Sequence, residues 1–216
     1  MNNISTLCFI LIFRVWFGEV AYDFWNRTVK EGNPITDIQR DLYIPGNLLV
    51  LSSGTILTLN PKTVVYHIIV DGLGGAVAAI QLNHTDVLVF DGWIHCVKHL
   101  SRLNNKTSPL IVKSESYGNI DGSFSEARFQ FIRDAVKISD NEIAMTDSVC
   151  TCIRFINMQN ESVNSTIDIS YIGRALVVDK SGENLYFTAG SRLGVVNLSS
   201  NQVRILIFSY NNPQWA

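Results

Sequence analysis

The stretch AIQLNHTDVLVFDGWIHCVKHL, residues 79–100, recurs without a gap as AVKISDNEIAMTDSVCTCIRFI, residues 135–156. At a constant offset of 56, Ala79/Ala135, Asp91/Asp147 and Cys96/Cys152 are identical, and Lys98 is matched by Arg154. Between them apolar positions face apolar positions. A third copy, RALVVDKSGENLYFTAGSRLGVVNL (residues 174–198), has a turn two residues longer, and NLLVLSSGTILTLN (residues 47–60) keeps only the apolar runs. Each copy is followed by a polar turn and one more short apolar segment: Pro61–Val70, Asn104–Val112, Gln159–Ile169 and Ser199–Phe208. Turns rich in Asn, Asp, Ser and Gly tolerate left-handed backbone or bond their own chain, so the segments between them read as short strands. Units of roughly 40–45 residues with about four strands each are the pattern of propeller blades. The expected fold is therefore all-β.

The best copy, residues 117–156, carries Asp121-Gly122 and then Ala127-Arg128-Phe129 ahead of a strand 135–139. A polar turn, Asp140-Asn141, leads to Met145-Thr146-Asp147, and Cys152-Ile153-Arg154-Phe155-Ile156 closes the unit. His95-Cys96-Val97-Lys98 repeats the closing element, and residues 176–186 repeat the strand–turn–strand core. In this order these elements resemble the NHL-repeat β-propeller family. The chain departs from the family pattern at Ile132 and Asp134, where Pro and Gly are usual, and at Ala189 and Gly194, where the other copies have Asp and Cys. The resemblance implies about four four-stranded blades over residues 47–208, preceded by a lead-in segment 22–46 and followed by a tail 209–216. Four blades form either a small closed ring or, the preferred expectation, part of a larger propeller from a truncated or split gene product. The family uses this fold as a binding platform, so the resemblance implies a binding scaffold rather than an activity.

Composition agrees with a folded β chain: 47% of residues are hydrophobic, 17% charged, and the net charge is −2. At 216 residues the chain is long enough to bury a sizeable core. Without a basic stripe, nucleic acid is not an expected partner. Residues 4–17 (ISTLCFILIFRVWF) form an apolar run broken by Arg14. That run is shorter than the roughly 20 residues a membrane span requires, and it fits a secretory signal peptide over residues 1–21. No stable membrane span is expected after its removal. Asn-X-Ser/Thr triplets at Asn26, Asn83, Asn105, Asn160, Asn164 and Asn197 are candidate glycosylation sites, three of them in expected turns. Localisation outside the cell follows as the expectation.

Candidates for chemistry are few. Asp91 and Asp147 recur at strand ends, where a carboxylate accepts turn N–H bonds and fixes a blade. Cys96 and Cys152 hold equivalent blade positions, too far apart in a radial array for a bridge. Cys150 and Cys152 are two residues apart, where a bridge on one strand face is strained, so all three cysteines read as small buried residues. Arg128 and Arg154 sit at repeat positions that call for ion pairing or aromatic packing. His67, His84, His95 and His99 could serve a metal-dependent propeller lyase or lactonase, but no carboxylate recurs with them at ligand spacing. Asp71-Gly72-Leu73-Gly74-Gly75 lacks the Lys-Ser/Thr of a phosphate loop and reads as an interblade turn. No catalytic residue, metal or cofactor is expected. The expected partner is an extracellular protein, peptide or glycan, engaged through exposed aromatics such as Trp93 and Tyr117. The alternatives are the metal-dependent enzyme and a fragment without function of its own.

Overall fold

A computed structural model describes residues 35–52, 54–111, 117–148, 150–170 and 173–207. The segment 1–21 expected to be a signal peptide, Asn26 and the tail 209–216 lie outside the described residues. The chain is all-β, in four antiparallel sheets. The first comprises β1 (Ile35–Arg40), β2 (Leu48–Ser52), β3 (Thr55–Leu59) and β4 (Tyr66–Val70). The second comprises β5 (Ala76–Gln81), β6 (Asp86–Asp91), β7 (Cys96–Ser101) and β8 (Lys106–Ile111). The third comprises β9 (Gly122–Ser123), β10 (Ile132–Lys137), β11 (Glu142–Asp147), β12 (Cys152–Asn157) and β13 (Ser162–Asp168). The fourth comprises β14 (Gly173–Val178), β15 (Asn184–Ala189), β16 (Arg192–Asn197) and β17 (Gln202–Ile207). Strands within each sheet follow chain order, except that β9 adds to the outer edge of β13. These are four blades of a β-propeller.

Each blade starts with the same irregularity. The inner strand bulges just inside its start, between Ile35 and Asp37, Ala76 and Ala78, Ile132 and Asp134, and Gly173 and Ala175. A bulge adds one residue and increases local twist. The first blade begins at Ile35, so the lead-in expected over 22–46 contains its inner strand. At the opposite end, the third-to-fourth-strand turns share a left-handed residue: Val64 (φ 59°), Asn105 (56°), Glu161 (49°) and Asn201 (56°). In three of these turns an Asn side-chain oxygen accepts the backbone N–H three residues on, Asn60 from Thr63, Asn157 from Asn160 and Asn197 from Ser200.

Blades pack face to face through apolar layers. One layer joins blades 1 and 2 through Leu49, Leu51, Ile56, Ala79, Val87, Val89 and Leu100. Another joins blades 2 and 3 through Leu88, Phe90, Val97, Phe129, Ile143, Met145 and Ile156. The third joins blades 3 and 4 through Ala144, Ile153, Ile167, Leu185, Phe187 and Val196. Burying each large side chain contributes about 1.5–3 kcal/mol. Inner strands follow this order, β5 against β1, β10 against β5 and β14 against β10, whereas among the described residues β14 makes no comparable contact with β1.

Polar contacts fasten the array. Arg102 donates both terminal nitrogens to Asp41, each at 3.1 Å, clamping the blade 2 turn to the blade 1 turn. Arg154, fully buried, donates to the carbonyls of Arg128 and Ile120 at 2.6 Å and to Asp121 at 2.8 Å. Its guanidinium lies 4.9 Å from the Phe129 ring centre and 3.5 Å from Asp147. The whole Ala127-Arg128-Phe129 element is thereby tied to blade 3.

One expectation about cysteine is corrected. Cys150 and Cys152 form a disulfide, with Cα atoms 5.0 Å apart. Cys150 lies in the bend before β12 rather than in the strand, so the chain turns between the two sulfurs instead of alternating past them. Cys96 is free and buried.

Candidate functional site on the loop face and the axial cavity

Strand direction sorts the loops onto two faces. In every blade the first-to-second and third-to-fourth strand turns lie at one end, and the second-to-third turns and the interblade connections at the other. The first end holds Asn83 in the β5–β6 turn, Asn105 in the β7–β8 turn, Asn160 in the β12–β13 turn and Asn197 at the end of β16. Asn83, Asn105 and Asn160 are exposed and Asn197 half-buried; Asn164 is exposed on the outer strand β13. Among the described residues, no candidate glycosylation site falls in the loops of the other face.

That other face carries the two most exposed aromatics of the described residues, whereas Tyr43 and Tyr66, less exposed, lie at the first end. Trp93, 70% exposed, sits in the β6–β7 turn, and Tyr117, 69% exposed, in the connection from blade 2 to blade 3. The His95 ring lies between Tyr117 and Phe131, 6.0 Å from each ring centre, and Arg133 stacks 4.6 Å over Phe131. Asp91 builds this turn. Its carboxylate accepts the N–H groups of Gly74 (3.0 Å) and Gly75 (2.9 Å), pairs with Lys98 at 3.2 Å, and reaches the N–H groups of Trp93 and Ile94 at 3.3 Å. Asp147 repeats the arrangement one blade on, accepting from Gln130 and Phe131 at 2.9 Å. A Cβ at Gly75 would come within 2.0 Å of the Trp93 ring, so any other residue there displaces the indole. The glycine run 71–75 is the interblade connection over which Trp93 folds.

The histidines disperse. His99 pairs with Asp86 at 2.8 Å, His84 bonds the Leu42 carbonyl, His95 faces the aromatic cluster, and His67 is exposed on β4. Among the described residues no three His, Cys, Asp or Glu side chains gather where they could hold a metal ion.

Sequence reasoning passed over the axial cavity. A space of about 600 Å³ is lined by the inner strands β1, β5 and β10, by Leu42 and by Leu176 of β14. Asp37 and Asp134 stand at matching positions, the first residue beyond each bulge, and each reaches the next blade. Asp134 accepts the Leu176 N–H at 2.7 Å and its own neighbour Ala135 at 2.9 Å; Asp37 accepts from Ala79 and Ile38 in the same manner. The corresponding residues of blades 2 and 4 are Ala78 and Ala175. Burial raises the pKa of both carboxyls; Asp134, also sensing the charge of Asp37, is pushed up to about 6. Three residues further along the same two strands stand Arg40 and Lys137. The pattern Asp-x-x-Arg/Lys, present in alternate units, was the signal available in the sequence.

No family model matches the chain, and no curated protein matches it. Solved structures do. The fold resembles a chain of the crystal structure of a nidogen/laminin complex, with TM-score 0.65 and 11% identity, covering 82% of this chain and 66% of that one. It also resembles an auxiliary nutrient-binding protein from Bacteroides thetaiotaomicron (TM-score 0.62, 8% identity, 84% of this chain and 44% of that one). A third match is the extracellular domain of a hybrid two-component system from the same bacterium (TM-score 0.56, 11% identity, 79% and 23%). This chain therefore spans 66% of the first of these and under half of the others. At such identities the likeness establishes the β-propeller fold.

Proposed function

We propose that this chain is a secreted, NHL-like β-propeller that binds an extracellular protein, peptide or glycan through its aromatic face and performs no catalysis. The observation that carries the reading is the division between faces: the turn-borne Asn-X-Ser/Thr sites sit on one, the exposed Trp93, Tyr117 and the Phe131–Arg133 stack on the other. Glycans are bulky and hydrated, so a contact surface belongs where they are absent. Large rigid aromatics and arginine are the residues that anchor such surfaces. The likeness to a chain of a nidogen/laminin complex, to a nutrient-binding protein and to the extracellular domain of a two-component system adds support from fold alone. The partner is a macromolecule of the extracellular space, and the aromatic cluster supplies its anchor.

The test expresses the full chain in secretory eukaryotic cells, with a photo-crosslinking residue at position 93 or, as control, at position 105. Intact mass should show a secreted species shortened near residue 21 and carrying several glycans. Cross-linked partners should form from position 93 and not from position 105. Retention of an unglycosylated chain, or equal cross-linking from both faces, refutes the reading.

A further inference from the structure

The axial cavity holds charge that the scaffold does not use up. Asp37 and Asp134 face it from blades 1 and 3, and among the described residues no ion pair reaches either carboxylate. Three donors bond Asp37, namely the N–H groups of Ala79 and Ile38 and the Gln39 amide at 3.2 Å; two bond Asp134. A carboxylate offers about four acceptor positions, which leaves about three open between the two. That is the number of N–H donors on a primary ammonium.

The cation end is built by the same strands. Arg40 and Lys137 line the cavity three residues beyond the carboxylates, about 10 Å along a strand. Lys137 is shared with Asp140 at 2.9 Å, and Arg40 is exposed. From β5 and from β14 the lining is Ala79, Ile80, Gln81 and Leu176, none of them charged. The amides between the two ends are locked. Gln81 donates to the Gln39 side-chain oxygen (2.8 Å) and the Arg40 carbonyl (2.6 Å), and Gln39 donates to the Ala79 carbonyl (2.8 Å). A cavity with fixed walls loses little entropy on filling.

We propose that the axial cavity binds a small zwitterion carrying a primary ammonium at one end and a carboxylate at the other. The ammonium lies between Asp37 and Asp134 and donates to their open acceptor positions. The carboxylate meets the Arg40 guanidinium, a planar donor pair suited to it. This charge order explains why acid and base recur together in blades 1 and 3 and are absent from blades 2 and 4. Capping of the neighbouring blade requires only the acid.

The test titrates the full secreted chain with 6-aminohexanoate, hexylamine and hexanoate by calorimetry at pH 7.5. 6-Aminohexanoate should bind roughly tenfold more tightly than hexylamine, a difference of about 1.4 kcal/mol, and hexanoate should not bind. Asp134→Asn should weaken 6-aminohexanoate and hexylamine roughly tenfold. Arg40→Gln, at an exposed position that leaves the fold intact, should weaken 6-aminohexanoate alone. Trp93→Ala should change none of these, which separates the cavity from the aromatic face. The proposal is overturned by absence of saturable binding at tens of millimolar 6-aminohexanoate, by hexanoate binding equally well, or by unchanged binding in Asp134→Asn or Arg40→Gln.

Discussion

Replacing Asp134 by Asn should make the protein more stable at neutral pH and flatten its response to acid. The carboxyl has a pKa of 3.8 when free and about 6 in the fold, raised first by burial and then by Asp37, against the pull of the Leu176 and Ala135 N–H groups. Between these two values the folded chain binds more protons than the unfolded one, so stability falls as pH rises. The favourable contribution of the protonated acid is whole below about pH 4 and is lost once the pH passes the folded value. A shift of roughly two units corresponds to at most roughly 3 kcal/mol. Asn keeps a carbonyl that can accept from Leu176 and has no proton to lose. The difference in unfolding free energy, Asn variant minus wild type, should therefore grow by up to about 3 kcal/mol between pH 4 and 7.5. For a chain of this length that equals about 6–12 °C in Tm at neutral pH. Urea unfolding followed by tryptophan fluorescence across that pH range measures it directly. Parallel stability curves for the two proteins would mean that Asp134 does not titrate between pH 4 and 6 in the fold, and the reasoning fails.

Arg154→Met should cost about 3–5 kcal/mol, because it leaves Asp147 and two carbonyls without a buried cation, and thermal unfolding should register a fall of about 6–20 °C. Gly75→Ala should destabilise by about 1–3 kcal/mol and alter Trp93 emission, since the new methyl displaces the indole; adding Trp93→Ala should recover most of the loss. Cys96, whose thiol burial pushes up to about 11, should resist alkylation in the native protein at pH 8 and react fully in denaturant, as mass spectrometry reads. Without reductant, denatured protein should leave Cys150 and Cys152 unlabelled, and after reduction both should label.

The blade pattern was legible because it rests on burial. Residues 79–100 and 135–156 fill equivalent places in adjacent blades, so the same apolar positions must recur and Asp91 and Asp147 must bond the same backbone groups. β1 was not legible because its sequence, ITDIQR, borders the cavity and carries only two apolar residues. A strand that lines a polar channel loses the alternation by which strands are recognised. The Cys150–Cys152 bridge was misread by extending β12 two residues too early. Asp134 stood out only as a departure from the family pattern, and its counterpart Asp37 lay ahead of the recognised repeats, so the shared Asp-x-x-Arg/Lys spacing was passed over.

Comparison among repeats divides the side chains by purpose. Features common to successive blades hold the scaffold: the bulge, the left-handed turn, and the Asp paired with a base in Asp91–Lys98 and Asp147–Arg154. Blades 1 and 4 omit that pair: Ser52 and Leu57 stand in its place in blade 1, Ala189 and Gly194 in blade 4. There Gly194 lies opposite Phe187 as Lys98 lies opposite Val89 and Arg154 opposite Met145, and the Phe187 ring occupies the space a Cβ at Gly194 would need. An aromatic thus fills the position that a polar pair fills elsewhere, and the layer against blade 3 is kept. Asp37 and Asp134, by contrast, recur in alternate blades only, with Ala78 and Ala175 between them. Capping the next blade's edge cannot explain that alternation, since blade 2, with Ala78 at this position, packs against blade 3 without it. What alternation does achieve is to set two carboxylates facing one cavity while apolar and amide groups line the walls between them. Burial opposes such a pair, as the raised pKa of both shows, and a ligand cation is the species that relieves it.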